Sequence, residues 1–161
     1  MLTDKRHKTA EEFKALSQCA AFGIERAYFE VGICHCYGWG TPVNQKKAFE
    51  NFRTGAEKDD VNCIFMLSWC YDSGVGTKYD KARAISFLKN QINRRPDPLL
   101  LCALARFSTP DSIEDHKKVI ELYRQALDML PSADKATTAY VVISWTENQY
   151  IRRKDINRLY P

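Results

Sequence analysis

Long apolar runs are missing from this chain of 161 residues. No segment approaches the roughly 18 to 20 consecutive apolar residues that a membrane span needs. The charged start, Met1 to Lys8, has no apolar stretch behind it of the kind an export signal carries. The expectation is a soluble protein of the cytoplasm that inserts into no membrane. Glycine and proline are scarce, at 7 and 6 residues, which excludes collagen-like and low-complexity chains. Histidine is scarcer still, with only His7, His35 and His116, and no nucleophile and base can be paired from their spacing. No enzyme and no cofactor are expected.

Cysteine is not scarce. Cys19, Cys34, Cys36, Cys63, Cys70 and Cys102 mostly stand among apolar residues, and only Cys34 and Cys70 recur at equivalent places. A free cysteine behaves as a small hydrophobe, so reduced, packed thiols are the expectation, with export and disulfide crosslinking as the alternative. Cys34-His35-Cys36 resembles a metal cluster only in one dimension. Neighbours on a helix point about 100° apart and cannot converge on one ion. Cys63 and Cys70 share a face but lie roughly 10 Å apart by helical rise, too far for a common ligand.

What the chain has is a repeat. Setting Gly38-Trp39-Gly40 over Gly74-Val75-Gly76 brings Val31 onto Leu67, Cys34 onto Cys70, Asn44 onto Asp80, Ala48 onto Ala84 and Phe52 onto Leu88, at one constant shift. A period of this length means stacked helical units. Each copy reads as a helix, a glycine turn, a capping Asn or Asp, and a second helix, with apolar residues at helical spacing. The expected layout is one domain over 1–161, with a leading half-repeat at 9–23 and complete repeats at 27–62 and 63–98. In a worn third repeat at 99–130 the second helix is led by Asp115, behind a loop that lacks glycine and has lost one residue, and capping helices at 131–161 complete the layout.

These residues resemble the unit of the Sel1-like repeat family, a relative of tetratricopeptide repeats. In the first copy the pattern falls on Ala27, Val31-Gly32, His35, Gly38, Gly40, Asn44, Lys47-Ala48, Phe52 and Ala56. In the second it falls on Cys63, Leu67-Ser68, Tyr71, Gly74, Gly76, Asp80, Arg83-Ala84, Phe87-Leu88 and Ile92. Phe107, Asp115, Lys118-Val119 and Leu122-Tyr123 are what remains of a third. His35 departs from the family's aromatic, and Ser68 from its glycine. The resemblance implies an all-α fold, a right-handed superhelical solenoid of helix-turn-helix units whose first helices line a concave face. It also implies work as an adaptor or scaffold in protein assembly rather than catalysis.

On that face the candidate partner-binding residues are Arg26, Phe29, Ile33 and Tyr37 in the first copy, Asn62, Phe65 and Trp69 in the second, and Leu101 in the third. Large aromatics on a groove supply contact area at low entropic cost. The expected partner is a protein or peptide, held as a helix or extended segment. Trp39, between two turn glycines, is expected to fold back onto the preceding helix. Charge offers a competing reading. Residues 1–80 hold ten Lys and Arg against eleven Asp and Glu, whereas residues 81–161 hold fourteen against nine. The clusters Arg94-Arg95 and Arg152-Arg153-Lys154, with Arg158, could contact RNA phosphates. The surplus is modest and acids are interspersed, so solvated helix ends are the expectation and nucleic acid is the weaker reading.

Overall fold

The computed structural model describes residues 8–108 and 112–131, the side chain of Ile113 excepted. The expected last helices and the cations at 152–158 lie outside the described residues. Two compact units are formed, Met1–Pro96 and Asp97–Pro161. Among the described residues all regular structure is helical: α1 (Ala10–Ala21), α2 (Glu25–Tyr37), α3 (Gln45–Glu57), α4 (Val61–Ser73) and α5 (Lys81–Arg94) in the first unit, α6 (Pro98–Phe107) and α7 (Ile113–Asp128) in the second. The fold is all-α, of the helical-repeat solenoid class.

In the first unit each helix packs against the next in sequence, and α2 also packs against α4. The bounds of α2 and α3 recur in α4 and α5 at the constant shift seen in the sequence, apart from one added residue at the end of α5. Local chemistry accounts for this. Asn44 and Asp80 each accept a hydrogen bond from the third amide of the helix that follows, at 3.0 and 2.9 Å. Gly38 and Gly74 end the first helices in the left-handed conformation, their amides donating to Cys34 and Cys70 at 2.9 Å. The turns are latched alike, Asn44 N donating to His35 O at 2.8 Å and Asp80 N to Tyr71 O at 2.7 Å.

The second glycine of each turn has a different task. A Cβ on Gly40 would strike the carbonyl of Thr9 and come within 2.9 Å of Phe13 Cβ; one on Gly76 would strike the carbonyl of Gln45 and reach 2.7 Å from Phe49 Cβ. Each turn is therefore pressed onto the start of the second helix of the unit before it. α1 is that preceding helix for the first copy, which makes it a half-repeat in packing. It is capped by Thr9 in a reciprocal capping box with Glu12. Its apolar residues Phe13, Leu16, Cys19 and Ala20 close on Ala27, Val31 and Tyr28.

Cores within the repeats rest on the small position. Gly32 faces the Phe52 ring so closely that any Cβ would overlap it, and Phe52 is fully buried. At the equivalent places stand Ser68 and Leu88, also fully buried, with Ser68 Oγ donating to Phe65 O at 2.6 Å. In the second unit Ala105, Val119 and Tyr123 form the core with Cys102 and Leu122. The helix expected to open at Asp115 begins earlier. Ser112 is the N-cap, accepting from Asp115 N at 3.1 Å, while its hydroxyl donates to the Asp115 carboxylate at 2.7 Å. A Ser three residues before an acid satisfies two groups at the helix start, which a lone aspartate would not.

Candidate functional site

On α2 the buried residues Ala27, Val31, Cys34 and His35 lie on one side, and on α4 Cys63, Leu67, Cys70 and Tyr71 occupy the same places. The opposite side carries the candidate residues. Arg26 and Asn62 are exposed in the first turns; Phe29, Ile33, Phe65 and Trp69 are half-buried; Tyr37 is 57% exposed. Because α2 packs on α4, the two rows run on neighbouring helices. Phe29 leans toward the second helix of its unit, its ring 6.4 Å from that of Phe52. Leu101 was expected to continue the row. It is instead 3% exposed, its side chain taken up in packing.

Trp39 folds back as expected, its ring stacked on Tyr37 at 5.3 Å and 26°. Arg94 and Arg95 turn to Asp59, two residues past the end of α3, where φ is 61°. Arg94 Nη2 lies 3.4 Å from the carboxylate, and Arg95 Nη2 donates to the carbonyl at 3.5 Å. The pair is largely exposed and contributes little to stability, but it directs both guanidiniums to an acid of this chain.

The thiols are poor candidates for chemistry. All six cysteines are free, with Cys34, Cys63 and Cys70 buried. Burial pushes Cys36 up to about 11 and Cys70 up to about 12, and it raises Cys34, Cys63 and Cys102 as well. Such thiols stay protonated near neutral pH and are weak nucleophiles and metal ligands. Among the described residues no three His, Cys, Asp or Glu side chains come together as a metal site.

His35 is 7% exposed, with its ring edge-on to Phe13 at 5.2 Å and Nδ1 unpartnered. Burial, then the nearby Lys47 charge, hold it below its ordinary 6.5. Its counterpart Tyr71 meets Phe49 in the same T-shaped way and has the Arg83 guanidinium 4.5 Å over its ring. A neutral buried histidine binds its proton less readily folded than unfolded. Stability is therefore full above about pH 6.5 and declines below it, by up to about 1.4 kcal/mol per pH unit, until the folded group also titrates. Urea midpoints should fall between about pH 7.5 and pH 5.5 in the natural chain and stay level in His35→Tyr, which copies the second repeat. Equal slopes in both would place the acid sensitivity elsewhere.

Sequence reasoning missed a second exposed apolar set, at the turn edge. Val43 is 59% and Tyr79 65% exposed, at equivalent places just before the capping residues. The signal was available, since two apolar residues recur at a loop position where no core needs them.

Comparison with known proteins agrees with this geometry. The family model for the Sel1 repeat matches residues 25–60 and 61–89. A Sel1 repeat protein from Oxalobacter formigenes superposes with a TM-score of 0.65 at 22% identity, over 78% of this chain and 52% of that one. The c5321 protein, a protective antigen present in uropathogenic Escherichia coli strains and displaying an SLR fold, gives 0.58 at 16% identity, over 81% of this chain and 28% of that one. The chain thus spans about half, or less, of the length of these structures. No described helix is long and apolar enough to cross a membrane.

Proposed function

From the premise that this chain carries two Sel1 repeats, a unit generally used for protein-protein interaction, we propose that it is a non-enzymatic adaptor. Its partner, a protein or peptide, docks on the open face of α2 and α4. The observation that carries this reading is the matched accessibility of Arg26 and Asn62, Phe29 and Phe65, Ile33 and Trp69 on two packed helices. Apolar side chains left half-uncovered at repeated places present a ready-made anchor row, flanked at one end by polar groups that can set direction. The partner's aromatic or aliphatic side chains would fill the spaces between Phe29, Ile33, Phe65 and Trp69. Tyr37 would close the far end of the row. A mechanism of this kind needs no proton transfer and no bound cofactor.

Phe65→Ala and Trp69→Ala should each weaken partner binding tenfold or more, about 1.4 kcal/mol or above, while keeping the helical circular dichroism of the parent. The partner is to be captured by affinity purification with crosslinking, and the crosslinks should map to α2 and α4. Binding that survives both substitutions, or crosslinks confined to α6 and α7, would remove this face from consideration. Loss of helical signal in both variants would assign the two side chains to the core instead.

A further inference from the structure

We infer that the turn edge of the first unit is a second docking surface, fitted to an acidic peptide segment carrying apolar side chains. The edge is continuous. Gly40 presses on Thr9 and Phe13 at the start of α1, and Gly76 presses on Gln45 and Phe49 at the start of α3, so both glycine turns and the starts of α1 and α3 form one border, with α5 leading away from the second turn.

Its charge is one-sided along the two turns and the helix starts that follow them, whereas the start of α1 carries Glu11 and Glu12. Residues 37–47 and 73–83 carry Lys46, Lys47, Lys78, Lys81 and Arg83 against the single carboxylate of Asp80, which is already engaged as a helix cap. Helix starts ordinarily favour acids, because the helix dipole is positive there. α1 follows that rule with Glu11 and Glu12, and α7 with Glu114 and Asp115. The first turns of α3 and α5 hold no acid and place lysine or arginine instead, against their own dipoles. Lys46, Lys47 and Lys78 are exposed and make no ion pair with the described residues. Charges arranged against the fold's own electrostatics leave a positive edge that a carboxylate-rich ligand would neutralise.

The apolar part accompanies the charge. Tyr37 stacked with Trp39, then Val43, then Tyr79 stand on the same border, and Val43 and Tyr79 are more than half exposed. Cations and apolar groups on one border match a segment that carries both carboxylates and apolar side chains. A phosphate polymer is the less suited ligand. The one arginine of the edge, Arg83, lies over Tyr71, which leaves lysines without the planar fork that recognises phosphate bidentately.

The test uses the full chain and a labelled synthetic peptide in which glutamates outnumber phenylalanine and leucine by two to one. Fluorescence polarisation should show binding that weakens as salt rises. The same peptide with glutamines in place of glutamates should bind at least tenfold more weakly, as should the parent peptide to Lys46→Glu/Lys78→Glu and to Val43→Ser/Tyr79→Ser. The charge-reversed variant should melt at the same or a higher temperature than the parent, because it restores acid to the helix starts, so lost binding there is not lost fold. Lys46→Gln/Lys78→Gln gives an intermediate affinity. Phe65→Ala and Trp69→Ala leave peptide binding unchanged, which separates this edge from the first-helix face. Polyuridylate that displaces the peptide at lower concentration would make the edge a phosphate-polymer site and overturn the proposal. Equal affinity for the glutamate and glutamine peptides, or for the parent and charge-reversed chains, would also overturn it.

Discussion

Gly76→Ala should lower the free energy of unfolding by about 2 to 5 kcal/mol, while Gly74→Ala, two residues away, should cost only about 1 to 2. Both glycines have positive φ, 68° and 73°, so both substitutions carry the strain of a left-handed L-residue. They differ in what surrounds the added carbon. At Gly74 the nearest atom is Tyr79 N at 3.3 Å, a contact that a shift of a few tenths of an ångström relieves. At Gly76 the carbon would overlap the carbonyl of Gln45, part of a helix start that is itself capped by Asn44 and cannot step aside without losing that cap. Gly40→Ala repeats the collision against Thr9 and should behave as Gly76→Ala does. Urea denaturation measures the order directly through the midpoints, provided the slope is unchanged. Equal losses at Gly74 and Gly76 would show that the turns are not pressed onto the preceding helices.

A second large effect is expected at the small position facing the buried ring. Gly32→Ser places a side chain into Phe52 and should cost about 1 to 3 kcal/mol; Phe52→Leu leaves a void and should cost a similar amount. Made together they recreate the Ser68 and Leu88 combination that the second repeat already buries completely. The double variant should therefore regain about 1 kcal/mol or more relative to the sum of the singles. A double-mutant cycle in urea measures that coupling. Strict additivity would mean that the two repeats reach their packing by unrelated routes. A glycine of the resembled family can be serine here because the facing neighbour has shrunk to match, Leu88 standing where the first repeat has Phe52.

Much of the first unit was legible because its determinants act within a few residues. Asn44 and Asp80 cap helices from their own side chains, and Gly38 and Gly74 reverse the chain at the residue where the left-handed turn is needed. The first repeat was expected from residue 27 and its first helix begins at Glu25; the second was expected from residue 63 and its first helix begins at Val61. Ends of this kind are blurred because the first and last turns of a helix contribute little pattern. The candidate site was legible in part. Arg26, Phe29, Ile33, Tyr37, Asn62, Phe65 and Trp69 share one side of the first helices, as period and spacing alone require. Leu101 failed because extending a row to a worn repeat assumes that the repeat keeps the same packing, and its glycine turn, the device that maintains it, is gone. Ser112 took the capping role assigned to Asp115 for a related reason. Once the loop had lost a residue, alignment no longer identified the helix start.

Taken by itself, the sequence determined the all-helical class, the period, the two complete repeats with their turns and caps, and the face on which the first helices leave aromatic groups uncovered. These are properties of residue order, because caps, left-handed glycines and helical stripes are decided by neighbours within about four positions along the chain. Tertiary structure alone decided the rest. It assigned Gly40 and Gly76 to contacts between units and Gly38 and Gly74 to turns within them. It paired Gly32 with Phe52, turned Arg94 and Arg95 to Asp59, buried Leu101, and set five cations along one edge of stacked turns. The physical reason is distance along the chain. Steric exclusion, burial and summed charge depend on groups brought together from 20 to 36 residues apart, and a repeat specifies which positions are equivalent without specifying what each one touches.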